Sequence, residues 1–307
     1  MTLIQMEYFI CTAREQNFTK AAAKLYITQQ SLSASIASLE KELGCKLFIR
    51  TVPLELTYAG KEFLKYANQI LGEISTLKHH FNDINLDQKG ILRIGIASTR
   101  ARSILPEILE SFSMNYPGIQ VIIHENTNDE LQTNILNREI DLAIANFQTK
   151  KKNLILKDFY QEEVVLFASD SLLNHCFGKE KENIIQQFQQ GHFQALNHCP
   201  FVLGNPKDIA GKIATKLFEQ AEISPSILLK ADNAELLLAL SLKGLGFCFC
   251  PILLAKTSLS KKDFDSLYQF HLGKIGKYQI RFAYRKEEHI WNVLNSFMEI
   301  AMNSKFI

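Results

Sequence analysis

The hydrophobic pattern of this 307-residue chain changes its period near residue 90, and only a few architectures can accommodate that change. Up to about residue 88 the apolar positions recur at helical spacing, as in Met6, Phe9, Ile10 and Ala13. Asn17 and Thr28 stand where N-caps belong, ahead of helices over 18–25 and 29–43, and Gly44 stands where a glycine ends a helix. A β-prone piece over 46–57 is broken by Pro53, and the stretch from 58 to 82 reads as one long helix. From Gly90 onward, strand signals (91–96, 119–124, 140–145) alternate with amphipathic helices (104–115, 129–137). Further strands follow at 164–168 and 244–251. Such alternation argues an α/β fold with a parallel, helix-covered sheet, preceded by a helical head.

A length of 307 residues fits two or three domains, and 47% hydrophobic with 21% charged residues suffices for a sizeable core. The net charge of +2 neither demands nor excludes nucleic acid. Residues 1–65 hold eight basic against six acidic side chains, so DNA affinity would have to come from placement and from several heads in one oligomer. No basic segment leads into an apolar run at the N-terminus, and no apolar run reaches the length of a membrane span. A cytoplasmic protein without membrane contact is therefore expected. Six cysteines occur without C-x-x-C or zinc-type spacing, so no metal and no cofactor is expected. Buried, reduced thiols are the plain expectation, with Cys176 or Cys199 as redox candidates. Lys150, Lys151 and Lys152 read as a solvated loop.

The segment 18–37, from Phe18 to Ala37, carries the chemistry of the head. Alanines in the first helix let a second helix approach closely, and the connection 26–28 is short. In the second helix Leu32, Ile36 and Leu39 share one face, which turns Gln29, Gln30, Ser33 and Ala34 outward. Amide and hydroxyl side chains suit base edges, and a helix N-terminus presents N–H groups to phosphate. Thr28, Gln29, Gln30, Ser31, Ser33 and Ala34 are thus the candidate DNA-reading residues of a helix-turn-helix. The residues 46–50 and 54–57 read as a β-wing, with Arg50 placed for the DNA backbone. Spacing alone leaves open a plain αα-hairpin of another helical domain.

Phe9, Asn17 to Ala22, Leu25, Thr28 to Ser33, Ile36, Leu39, Glu40, Leu43, Gly44, Leu47, Phe48, Arg50, Leu56, Thr57, Ala59 and Gly60 together resemble the LysR-type transcriptional regulators. The likeness continues in Leu92 to Gly95, Leu105-Pro106, Tyr116-Pro117, 140–144 and 244–251, so it spans nearly the whole chain. Two positions depart from the family's pattern. Gln30 stands where the family commonly has proline, and Ala34 stands near a position often held by a long polar side chain. Both bear on the operator sequence.

The resemblance implies a winged helix-turn-helix over 1–58, a linker and dimerisation helix over 59–88, and an effector-binding domain over 89–307. That domain would be of the periplasmic-binding-protein type, with subdomain I at about 89–160 and 270–300 and subdomain II at about 162–267. Two crossover strands would hinge the halves around a cleft. Strand ends of open α/β sheets bind ligands, which nominates Ser98, Thr99, Arg100, Thr127, Asn128, Asn146, Phe147 and Asn205 for the effector, with Arg102 as a further cation. Each could equally cap a helix or line a loop. Hydroxyls and arginine at a helix start suit a small carboxylate or other anion. Phe63, Ala67, Ile70, Ile74, Leu77, Phe81 and Ile84 form a heptad seam, for pairing with a twin helix or for packing within the chain. The resemblance further implies a homodimer or homotetramer on double-stranded promoter DNA, and contact with RNA polymerase.

Three other readings stand beside this one. No G-x-S-x-G, P-loop, H-E-x-x-H or G-x-G-x-x-G motif is present, so a catalytic role is not expected. A plain solute-binding protein would have no use for the head. A redox-responsive regulator of the same family would use a nearby cysteine pair, and Cys199 has no partner within the following ten residues.

Overall fold

The computed structural model describes residues 1–84, 89–147, 153–286 and 291–304, with the backbone alone described at 79–80 and 82–84. The lysines at 150–152 and the side chain of Ile84 therefore lie outside the described set. The head comprises α1 (Leu3–Glu15), α2 (Phe18–Lys24), α3 (Gln29–Leu43) and the short strands β1 (Phe48–Ile49) and β2 (Glu55–Leu56). Asn17 caps α2 by accepting the N–H groups of Thr19 and Lys20 at 2.9 and 3.0 Å. Thr28 caps α3, and Gly44 ends it at φ +70°, a conformation that favours glycine. Ala21 and Ala22 are buried where α2 approaches its neighbours, and Phe9, Leu32, Ile36 and Leu39 fill the core completely. The wing is antiparallel, pairing Phe48 with Leu56. Buried Glu40 of α3 anchors it by accepting the Leu47 and Phe48 N–H groups at 2.9 and 3.3 Å and the Lys46 ammonium at 2.8 Å.

Helix α4 (Tyr58–Ile84) leads to the α/β domain. There β3 (Gly90–Ile96), α5 (Ser98–Asn115), β4 (Ile119–Glu125), α6 (Asn128–Leu136) and β5 (Leu142–Ala145) make a parallel run in which β3 lies between β4 and β5. The long β6 (Leu154–Ser169) then crosses into a second half built from α7 (Asp170–Phe177), α8 (Lys181–Gln189), β7 (Pro200–Leu203), α9 (Ile209–Gln220), β8 (Ser226–Lys230), α10 (Ala234–Leu242), β9 (Cys248–Pro251), α11 (Ile252–Ser258), α12 (Lys261–Ser266) and β10 (Leu267–His271). The chain returns through β11 (Lys277–Arg285) and finishes on α13 (Asn292–Met302).

The sheet is mixed rather than parallel. β11 runs antiparallel to both β5 and β6, and β6 pairs antiparallel with β9 and β10 at its far end. A chain that leaves one half on β6 and comes back on β11 must run these two strands in opposite directions. One core lies between the first sheet and α5 and α13, where Phe112 and Phe297 meet edge-on. Another lies in the second half around Phe188, Phe201, Phe247 and Phe270. Helix α5 starts six residues before the expected 104, and its buried stripe opens at Ala101 and continues through Ile104, Leu105, Ile108 and Phe112. The strand expected over 244–251 shrinks to its last four residues, because Gly244 at φ +81° closes α10 and only then does the chain straighten.

Candidate nucleic-acid interface and effector cleft

With Leu32, Ile36 and Leu39 fully buried, α3 presents Gln29, Gln30, Ser31 and Ala34 to solvent, while Ser33 is half-buried. Thr28 accepts the Ser31 N–H at 3.2 Å, and the two hydroxyls lie 2.8 Å apart. Thr28 and Ser31 thus hold the first turn, and the glutamines form its outer surface. Arg50 is exposed at the wing with its guanidinium 5.9 Å from the Phe18 ring centroid, so the cation rests on the first residue of α2. Tyr26 in the turn was passed over in the sequence. It is 95% exposed at φ 55°, directly ahead of α3. The signal was present in a bulky aromatic between two helices with no apolar position to fill.

The strand-end residues divide. Ser98 is exposed and Thr99 half-buried at the start of α5, whose N-cap Ala97 offers no side-chain acceptor. The Arg100 N–H already donates to the Ala97 carbonyl at 2.9 Å, which leaves the first N–H groups of the helix, at Ser98 and Thr99, to a ligand or to water. Arg100 turns the other way, and its nomination for the effector is corrected. It is 4% exposed, its Nη2 donates to Glu162 Oε2 at 3.0 Å, and Nη1 points at the Ile144 carbonyl at 3.4 Å. Tyr160 and Tyr278 donate their hydroxyls to the same carboxylate. Burial alone would lower the pKa of Arg100, but the Glu162 charge outweighs it and holds the guanidinium protonated. Burial pushes both tyrosines up, so they stay neutral donors. This cluster sits where β6 and β11 cross between the halves.

Phe147 is also corrected. Its ring is buried among Leu131, Ile135 and Ile140, and its carbonyl accepts from Arg281 at 2.6 Å. Thr127 caps α6 in a reciprocal capping box with Glu130. Asn146 donates to the Gln279 carbonyl at 2.9 Å, and Asn205 donates to Asp232 at 3.3 Å while accepting the Lys207 N–H. Asn128 keeps a buried carbonyl oxygen with no hydrogen-bond partner. Across the two halves Arg102 of α5 donates to Glu235 of α10 at 2.5 Å.

The seam of α4 also divides. Ala67 is fully buried and half-buried Phe63 packs beside it against Phe9, so both pack in the head's own core. Ile74 faces a cavity of about 850 Å³ between the head, α4 and the first half of the α/β domain. Ile70, Leu77 and Phe81 remain 38%, 55% and 54% exposed, and Tyr66 joins them at 57%. On the other side Arg138 reaches α4, donating to Thr76 Oγ1 at 3.0 Å and to Glu73, while Arg14 of α1 pairs with Glu139 at 3.2 Å.

Among the described residues no three metal-ligating side chains cluster, and no helix is long and apolar enough to cross a membrane. Two family models match: the bacterial regulatory helix-turn-helix protein of the lysR family over residues 3–61, and the LysR substrate binding domain over residues 86–304. A winged head that exposes a polar helix, joined to a ligand-binding α/β domain, defines a DNA-binding transcriptional regulator. The chain belongs to the LysR family of these regulators. It is 29% identical over 255 residues to a probable RuBisCO transcriptional regulator of Thalassiosira pseudonana, covering 81% of this chain and 80% of that protein. It is 26% identical over 247 residues to the HTH-type transcriptional regulator CfxR of Cupriavidus necator, covering 80% of this chain and 74% of that one. In fold it is similar to full-length CbnR complexed with its target DNA (TM-score 0.64, 24% identity, 98% and 99% covered). It is likewise similar to full-length OxyR C199D of Pseudomonas aeruginosa (TM-score 0.69, 16% identity, 100% and 99% covered).

Proposed function

We propose that Gln29, Gln30 and Ala34 of α3 read base edges in a major groove, with Thr28 and Ser31 holding the helix start against phosphate and Arg50 and Tyr26 meeting the backbone on either side. The exposed polar row on α3, set by three fully buried residues on its opposite face, carries this reading. Ser33, half-buried, contributes at the edge of that row. Two such heads are brought together by the Ile70, Leu77 and Phe81 stripe of α4 on a twin helix, and pairs of dimers give a homotetramer. The protein works in the cytoplasm beside RNA polymerase, and it is not an enzyme.

A small anion binds at the open N-terminus of α5 against Ser98 and Thr99, with Thr127, Asn128, Asn146 and Asn205 on the surrounding strand ends. Its binding biases the angle between the two halves by its differential affinity for their arrangements, which changes the spacing of the heads. Enrichment of random duplexes on the full-length protein tests the first part. A motif with two-fold symmetry is expected, and a pool that stays random after several rounds contradicts it. A thermal-shift screen of small carboxylates on wild type and Ser98→Ala/Thr99→Ala tests the second. A stabilising carboxylate whose effect survives the double substitution would remove the anion from α5.

A further inference from the structure

Cys199 does have a neighbouring thiol, and it lies 23 positions earlier in the chain. Cys176, in the last turn of α7, and Cys199, immediately before β7, line one cavity, and Cys176 packs against the core cluster that holds Cys199. The Cys199 thiol donates to the Ala195 carbonyl at 3.5 Å. The two thiols face a cavity of about 420 Å³ lined by His175, Glu180 and His198 among others. Cys176 is half-buried and so reachable from this cavity, whereas Cys199 is 7% exposed and packs into the second-half core. Burial raises the pKa of Cys199. The more exposed Cys176 is thus the sulfur a reagent meets first, and the buried Cys199 beside the same cavity is the resolving thiol.

The remaining cysteines offer no such pairing. Cys248 and Cys250 are completely buried, and burial pushes Cys248 up to about 12. Cys11 is raised by burial, and Cys45 stands exposed in the head.

We propose that Cys176 and Cys199 form a reversible disulfide when the protein meets a hydroperoxide, stapling the end of α7 to the start of β7. The Cys176 thiolate attacks one peroxide oxygen: the S–O bond forms, the O–O bond breaks, and an alcohol or water leaves with a proton. The Cys199 sulfur then attacks the resulting sulfenic acid, the S–S bond forms, the S–O bond breaks, and water carries off the Cys199 proton. Two thiols are oxidised by two electrons, the peroxide is reduced, and an external dithiol reverses the step.

Treating the full-length protein with a small excess of hydrogen peroxide tests this. Of its six thiols two should be lost to a thiol-counting reagent, both should return with dithiothreitol, and a non-reducing peptide map should contain Cys176 joined to Cys199. In Cys199→Ser the joined peptide should vanish, and Cys176 should be trapped as sulfenic acid by dimedone. If that variant does not fold, the wild-type map decides alone. Six thiols surviving, or thiols lost only at Cys45 or without the joined peptide, would overturn the proposal.

Discussion

Arg100 keeps a charge inside the protein because Glu162 is there to meet it. Breaking a buried pair strands the surviving charge, whereas removing both partners together strands neither. Arg100→Met should therefore cost about 3–5 kcal/mol of stability, and Arg100→Met/Glu162→Met clearly less than the sum of the singles, both read from urea denaturation. Additive losses would mean that the two side chains do not share one network. Glu40 makes the second residue-scale prediction. Burial would raise its pKa, but the Lys46 ammonium and the Leu47 and Phe48 N–H groups outweigh burial and leave it below the ordinary 4.5. A lowered carboxylate contributes stability that is present above its unfolded pKa and lost as pH falls through the folded one. The head of the wild type should thus weaken on acidification below about pH 4.5, and Glu40→Gln should be less stable at neutrality with a flatter acid limb, measured by thermal melting across pH. Neither residue's role could be read ahead of the structure. Arg100 stands at the strand end where ligands bind, but it follows Ser98 by two positions, which is roughly 200° around a helix. Had the start of α5 been marked by a capping side chain in place of Ala97, that opposite orientation would have been legible.

Helix α4 carries two sets of contacts on two sides. The sequence showed a heptad seam but not where the seam changes partner, because Phe63 and Ala67 look like Ile70 and Leu77 until the head is folded against them. The exposed stretch predicts that Leu77→Lys, or Ile70→Lys, shifts sedimentation of the full-length protein from tetramer towards smaller species with little change in helix content. An unchanged mass for both would leave the stripe without its partner. On the other side, a Cβ at Gly72 would run into the Arg138 side chain, so the glycine is what lets that arginine lie along α4 and reach Glu73 and Thr76. Gly72→Ala and Arg138→Ala should each detach this contact, and the double variant should be no worse than the single ones in the hydrogen exchange of the turn after α6. Full additivity would show that the two residues act apart. The winged helix-turn-helix was legible almost to the residue, since caps at Asn17 and Thr28, the stop at Gly44 and the Leu32–Ile36–Leu39 face are all local signals. The antiparallel β11 was not, because its direction is set by the return of the chain from the second half and not by its own residues.

At the scale of the molecule, three bodies are connected. α4 joins the head to the first half, Arg14 and Arg138 fasten that half to α1 and α4, and β6 with β11 joins the halves around the Arg100 cluster. A change of angle between the halves therefore has a short physical route to the spacing of the heads, provided that the heads hold DNA through α3. The comparison of wild type with Gln29→Ala/Gln30→Ala on one enriched duplex bears on that proviso most directly, since alanine keeps the helix and removes only the amides. Binding at least about tenfold weaker, at unchanged melting temperature, is the outcome expected from one to two lost base contacts. Equal affinity in a variant that is still folded would contradict the placement of α3 in the groove.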